Sequence, residues 1–275
     1  MRFDIMTLFP EAVAPMLNAS ILGRAQKKGL IEIHAHQIRD YTVNRQNQVD
    51  DYPYGGGRGA IMQCDPLWRC WCAVCDEISA PVHTIFLSPC GPTFDQAKAR
   101  QLEASYDNLI LVCGHYEGVD QRFLDECVDE EISMGDFVLT GGEMPAIIVM
   151  DAISRFIPGV LGKIESAEED SFSTGLLEYP QYTRPVNFEG MEVPEVLRSG
   201  NHALINSWRL KQSLKATLAL RPDLLSAEQK ELLTGRLPYK MKKSERRFYE
   251  ELRAEIAAEQ EKRASAEVKE DEANG

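Results

Sequence analysis

The stretch NLILVCGHYEGVDQR, Asn108 to Arg122, decides the fold. Its first half is a short apolar run with no polar alternation, which reads as a strand covered on both faces. Such strands belong to parallel sheets sandwiched between helices. Its second half breaks into glycine and polar residues, which reads as the loop leaving that strand. Outward from it, VHTIFLSP is a second apolar strand and RFDIMTLF a third. PEAVAPMLNASILGRAQKKG reads as one helix ending at Gly29, with Lys27 and Lys28 in its last turn. IEIHAHQI alternates, so Ile31, Ile33 and Ala35 are expected on the core side and His34 and His36 toward solvent. EMPAIIVMDAISRFIP reads as a helix stopped by Pro158, with Ala146, Ile147, Met150, Ile153 and Ile157 on its apolar side.

Strands alternating with helices over residues 1–158 give an α/β domain with a largely parallel sheet. Residues 159–176 are polar, acidic and bounded by glycines, and read as a flexible linker or lid. Residues 177–240 are mostly helical; in LINSWRLKQSLKATLAL, Leu210, Leu214 and Leu218 recur every four residues opposite Arg209, Lys211 and Lys215. Residues 241–275 are rich in charge and poor in core residues, and read as a partly helical, disordered tail.

The 275 residues carry a net charge of −13, with 44% hydrophobic and 27% charged residues, as in an ordinary globular protein. No apolar run approaches a membrane span and the N-terminus has no signal-peptide pattern, so a cytoplasmic protein is expected. The seven cysteines read as reduced thiols. Cys64, Cys70, Cys72 and Cys75 include a CxxC, yet no second CxxC or His-x3-His follows. The segment reads as a helix whose cysteines act as small apolar residues, and no metal site is expected.

Three loops follow three strands, LSPCG at 87–91, CGHYEGVDQR at 113–122 and SMGDFVLTGGE at 133–143, the last containing a short apolar strand before its paired glycines. Ligands of open α/β sheets bind beyond the carboxyl ends of strands, where small residues let backbone approach closely. GxxxxGK[ST] is absent, and so is GxGxxG after a first strand, which disfavours nucleotide polyphosphates and dinucleotides. A nucleoside-like ligand without pyrophosphate is what remains.

PYGGGRGAIM, LSPCGPTFDQ, VCGHYEGVDQR, SMGDFVLTGGEMPA, SRFIPGVLG, EEDSFSTGLLEYPQYTRP and SGNHALINSWRLKQSL resemble, in the same order, motifs of the bacterial tRNA (guanine-N1)-methyltransferases of the SPOUT superfamily. The resemblance covers about residues 1 to 240. It implies a knotted, parallel-sheet α/β domain followed by a small helical C-terminal domain. It also implies a homodimer with its active site at the subunit interface, transferring methyl from S-adenosylmethionine to N1 of the guanine 3′ of the anticodon. By motif match the cofactor site comprises Leu87, Ser88 and Pro89, then Gly114, Tyr116 and Glu117. Met134, Gly135, Asp136, Phe137, Val138 and Leu139 continue it, with Gly141, Gly142 and Pro145.

N1 of neutral guanine keeps its proton until a base removes it, and charge then builds on O6. The resemblance assigns the base to Asp170 and the stabiliser to Arg155, with Glu169 a neighbour able to assist. Contact with the anticodon stem-loop is expected from Arg58, Arg209, Lys211 and Lys215. Neither DNA nor a membrane is an expected partner, and magnesium dependence is implied without a dedicated protein site. The sequence departs from the usual pattern at His115, where arginine is common, at Cys90, Arg58 and Ala60, and has no matching motif in the tail after Lys240.

Overall fold

In the computed structural model, residues 1–162 and 170–274 are described, with side chains omitted at 262–264 and 266–274. The chain divides into two compact units, Met1–Ala167 and Glu168–Gly275.

The first unit is built on five strands: β1 (Arg2–Thr7), β2 (Glu32–Gln37), β5 (His83–Leu87), β6 (Asn108–Val112) and β7 (Glu130–Ile132). They pair in the order β2-β1-β6-β5-β7, and every pairing is parallel. A separate antiparallel pair, β3 (Asp50–Asp51) and β4 (Ile61–Met62), flanks the glycine loop. Side chains alternate across the central strands, yet both faces are apolar. Phe3, Ile5, Ile85, Leu109 and Leu111 enter one core with α1 (Pro10–Leu17), α2 (Ser20–Lys27), α4 (Gln96–Ser105) and α6 (Glu143–Ser154). Met6, Phe86, Ile110 and Val112 enter the other with α3 (Cys64–Ile78) and α5 (Gln121–Cys127). Double coverage explains why NLILV carries no polar alternation.

Three sequence expectations change. The single helix over 10–29 is two, because Gly23 is seated on the backbone turn at Asn18: a Cβ there would fall 2.1 Å from the Asn18 carbonyl oxygen. In β2, Ala35 is exposed, while His36 turns to the fully buried Asp4 at 2.7 Å. That strand lies at the sheet edge, so its alternation answers to a buried carboxylate on β1 rather than to solvent. The third strand-like run, DFVLT, is loop: β7 has already ended at Ile132, and Phe137, Val138 and Leu139 are exposed.

The second unit contains a small hairpin, Asn187–Phe188 with Met191–Glu192, and helices Glu195–Arg198, His202–Leu220, Ala227–Thr234 and Lys243–Asn274. Leu176, Leu214, Leu225, Leu233 and Leu252 form its core, with Leu218, Phe248 and Ile256 against it. The terminal helix, expected as a partly helical, disordered tail, packs on this core over Phe248–Ile256. Phe248, Leu252 and Ile256 recur at four-residue spacing and give the terminal helix an apolar stripe, which its high charge content conceals in composition. Much of the expected linker, 163–169 and with it Glu169, lies outside the described residues.

Candidate active site

The carboxyl ends of β5, β6 and β7 release the three glycine-bearing loops side by side, and together they line a cavity of about 470 Å³. Leu87, Ser88 and Pro89 contribute from the first loop, and Gly114, Tyr116 and Glu117 from the second. Met134, Phe137, Val138, Leu139, Gly141, Gly142 and Pro145 contribute from the third. Of the residues expected at a cofactor site, only Gly135 and Asp136 fall outside the lining.

The close packing of these loops has local causes. Ser88 N donates to Ile132 O at 3.0 Å and Gly142 N to Gly114 O at 3.1 Å. A Cβ on Gly142 would lie 2.6 Å from Cys113 Cα, and one on Gly114 2.9 Å from the Phe86 ring. Tyr116 holds a left-handed backbone at φ 59°, and Gly118 follows at 139°. These reverse the chain so that Glu117 N reaches Ala60 O at 2.9 Å, at the end of the glycine loop. Gly59 in that loop would place a Cβ 2.4 Å from Glu117 Cγ.

The lining is apolar in its larger side chains, and its carboxylates are Glu117 and Glu131. Among the described lining residues there is no lysine or arginine. Sequence reasoning did not single out Glu131, which ends the sheet within β7, nor Thr140. It treated His115 only as a departure from a motif. In the structure His115 Nε2 lies 2.8 Å from both carboxylate oxygens of Glu143, whose Oε1 also receives Thr7 Oγ1. Burial pushes the Glu143 carboxyl up, but the bonds from His115 and Thr7 outweigh it and hold the carboxyl below its ordinary value. Neither Thr7 nor Glu143 carries a sequence signal: one reads as a strand residue, the other as a first-turn acid.

Arg155 caps the C-terminus of α6 in the first unit, and Asp170 opens the described part of the second, where its carbonyl accepts from Ser173 N at 3.2 Å. Arg58 is exposed on the loop where Gly55, Gly56, Gly57 and Gly59 all have positive φ. Arg209 lies over the Tyr179 ring at 4.8 Å.

The basic face of helix His202–Leu220 is not open. Lys211 Nζ donates to Glu251 and Glu255 at 2.9 and 3.2 Å, and Lys215 Nζ bonds Glu255 and Glu259 of the terminal helix. Both lysine side chains are about one-tenth exposed. Lys211 and Lys215, expected at the anticodon stem-loop, are thus already ion-paired with acids of the terminal helix. Cys64, Cys70, Cys72 and Cys75 lie along α3, with Cys70 fully buried and its thiol pushed up to about 12 by burial. Among the described residues no helix is long and apolar enough to cross a membrane.

The family model described as tRNA (Guanine-1)-methyltransferase TrmD matches residues 1–227. Three similar curated proteins carry the name tRNA (guanine-N(1)-)-methyltransferase. That of Ruminiclostridium cellulolyticum is 49% identical over 82% of this chain and 97% of its own length. The Alkaliphilus metalliredigens protein is 52% identical over 83% and 93%, and the Carboxydothermus hydrogenoformans protein 54% identical over 82% and 87%.

Proposed function

The chain belongs to the tRNA (guanine-1)-methyltransferase family, and from that premise we propose that it methylates N1 of the guanine immediately 3′ of the anticodon, with S-adenosylmethionine as donor. The observation that carries the donor assignment is the lining of the cavity. Walls of backbone and apolar side chains, two carboxylates and no lysine or arginine suit a nucleoside with a cationic tail and repel a polyphosphate. The volume of about 470 Å³ lies within the range for small-ligand sites.

Leu87, Phe137, Val138 and Leu139 would cover the apolar parts of the cofactor, Gly114, Gly141 and Gly142 would offer backbone, and Glu117 would face positive charge. When bound, S-adenosylmethionine supplies a methyl group activated by its sulfonium. The protein's own task is at the guanine edge. Asp170 takes the N1 proton on a carboxylate oxygen, and the Arg155 guanidinium donates N–H groups to O6 as charge builds there.

The helical second unit serves as the tRNA-binding domain on this reading, and Arg58 approaches phosphate or base edges. Arg209 contributes a planar cation, and Lys211 and Lys215 meet phosphate once their carboxylate partners are exchanged for it. Exposed apolar residues of the cavity lining, Val138 at 84% and Phe137 at 55%, support a second copy covering this face in a homodimer. A cytoplasmic setting and magnesium dependence without a dedicated protein site complete the proposal.

The test is transfer of labelled methyl from S-adenosylmethionine to an unmodified tRNA transcript with guanine 3′ of the anticodon, beside an adenine-substituted transcript. The expected product is 1-methylguanine from the guanine transcript alone, lost in Asp170→Asn. Transfer undiminished in Asp170→Asn would remove the base assignment, and transfer to neither transcript would sink the proposal.

A further inference from the structure

Three polar side chains that the proposed chemistry leaves unused meet at the cavity wall, where His115 belongs to the lining and Thr7 and Glu143 lie outside it. Thr7 ends β1, His115 lies in the loop after β6, and Glu143 opens α6. Thr7 is fully buried and Glu143 is 9% exposed. Thr7 Oγ1 donates to Glu143 Oε1 at 2.5 Å and accepts from Phe9 N at 2.9 Å. Glu143 is held ionised by its donors, so the His115 nitrogen 2.8 Å from both its oxygens is the one bearing the proton.

This set rests directly on cavity backbone. A Cβ on Gly141 would fall 2.3 Å from His115 Cε1 and 2.6 Å from Glu143 Oε2. One residue on, Gly142 N donates to Gly114 O, immediately before His115. The loop after β6 and the loop before α6 are thus held face to face twice, once through backbone and once through a charge-assisted side-chain bond. Backbone walls cannot adjust a rotamer to a ligand. Their recognition is only as good as their separation, and a carboxylate with donors on two sides is a strong way to set it.

We propose that His115, acting through Glu143, is a positioning residue for the cofactor: it fixes the spacing between the Gly114 and Gly141 walls, and Thr7 anchors Glu143 to the end of β1. The inference rests on the reading that this cavity holds S-adenosylmethionine. Neither side chain takes part in proton or methyl transfer. The role differs from plain structural support in where its loss is felt.

The test uses the full chain and its variants His115→Phe, Glu143→Gln and His115→Arg, with native packing checked by near-UV circular dichroism. S-adenosylhomocysteine binding is measured by titration calorimetry, and methyl transfer to the tRNA transcript at varied S-adenosylmethionine. His115→Phe and Glu143→Gln weaken binding by about 10- to 100-fold and raise KM for the cofactor correspondingly, with a smaller fall in kcat. His115→Arg supplies N–H donors to the carboxylate in place of the imidazole and recovers most of the affinity. A His115→Phe chain that fails to fold leaves the decision to Glu143→Gln, which preserves shape.

Folded variants that bind like the unaltered chain would overturn the inference. So would a loss confined to kcat, or an arginine variant no better than phenylalanine. The two readings separate cleanly: an unaltered chain that binds S-adenosylhomocysteine but methylates no tRNA sinks the acceptor and leaves the clamp standing. One that binds no S-adenosylhomocysteine removes both.

Discussion

Replacing Gly142 by alanine adds one methyl group at a tight backbone crossing between two of the cavity loops. Gly142 has φ −84°, which any residue adopts, so the substitution brings no backbone strain of its own. The damage is steric. The new Cβ would sit 2.6 Å from Cys113 Cα and 3.1 Å from Gly114 N, both backbone atoms that cannot rotate away. Ordinary contact begins at 3.4 Å, so the crossing must open by 3.4 − 2.6, roughly 0.8 Å. Overpacking of this kind costs about 1–3 kcal/mol. At about 2–4 °C per kcal/mol for a chain of this size, Tm falls by about 2–12 °C.

The functional cost is larger, because the 0.8 Å separates the two walls that hold the cofactor. Misplacement near 1 Å costs about 100-fold, so S-adenosylhomocysteine affinity should fall by about 10- to 100-fold. Calorimetric binding and thermal unfolding of Gly142→Ala, run beside Gly190→Ala, check this. Gly190 has φ +86° with nothing within 4 Å of an added methyl, so its alanine variant bears strain without crowding the cavity. It loses stability and keeps affinity. A Gly142→Ala protein that binds S-adenosylhomocysteine as the unaltered chain does would refute the claim that backbone spacing sets recognition.

Asp4 is fully buried between Arg2 at 2.8 Å and His36 at 2.7 Å; burial raises its carboxyl, but those two partners outweigh it and hold it below its ordinary value. A depressed folded value gives stability that is full above the unfolded pKa of about 3.9 and is lost as pH falls through the folded one. Asp4→Asn should therefore lose about 2–4 kcal/mol at pH 7 and show a flatter acid limb in urea melts; an unchanged limb would contradict the pairing. Glu251→Gln, Glu255→Gln and Glu259→Gln together release Lys211 and Lys215. Filter-binding of tRNA should tighten and its log–log salt slope steepen by about one to two, whereas an unaltered slope would exclude both lysines from RNA contact. Among the seven thiols, Cys90 is exposed at the cavity mouth, while burial raises Cys70 and Cys127 to about 12 and Cys75 to about 11. Mass spectrometry after brief alkylation at pH 7 should find Cys90 modified first and protected by S-adenosylhomocysteine; equal labelling of Cys70 would overturn the buried-helix reading.

The α/β class and the three strand-ending loops were legible because they depend on local signals, whereas the individual residues expected at the cofactor site came from the motif resemblance. NLILV announces a doubly covered strand, and glycines announce backbone turns. What stayed hidden depends on partners distant in sequence. His36 looked solvent-facing until Asp4 was found buried beside it on the neighbouring strand. Lys211 and Lys215 looked like an open cationic face because their partners lie about 40 residues later, in a segment whose charge masks the stripe of Phe248, Leu252 and Ile256. DFVLT was misread as a strand because three consecutive apolar residues fit one, although no sheet neighbour remains for them. Thr7 and Glu143 gave no signal at all, being ordinary residues for a strand end and a first helical turn.

The bond between Thr7 and Glu143 joins residues 136 positions apart, and β1 waits nearly as long in the chain for its inner neighbour, since Arg2 pairs with Asn108. At about 5–20 residues per second on the ribosome, the first anchor of the cavity is made about 7–27 s before the residue it will hold. Until β6 is made, β1 has only β2 beside it, and the N–H and C=O groups along its other edge are unpaired. The order of synthesis therefore sets the order of assembly: sheet first from one side, then the strands that flank the loops, and the ligand cavity last, when α6 returns to the strand where the chain began.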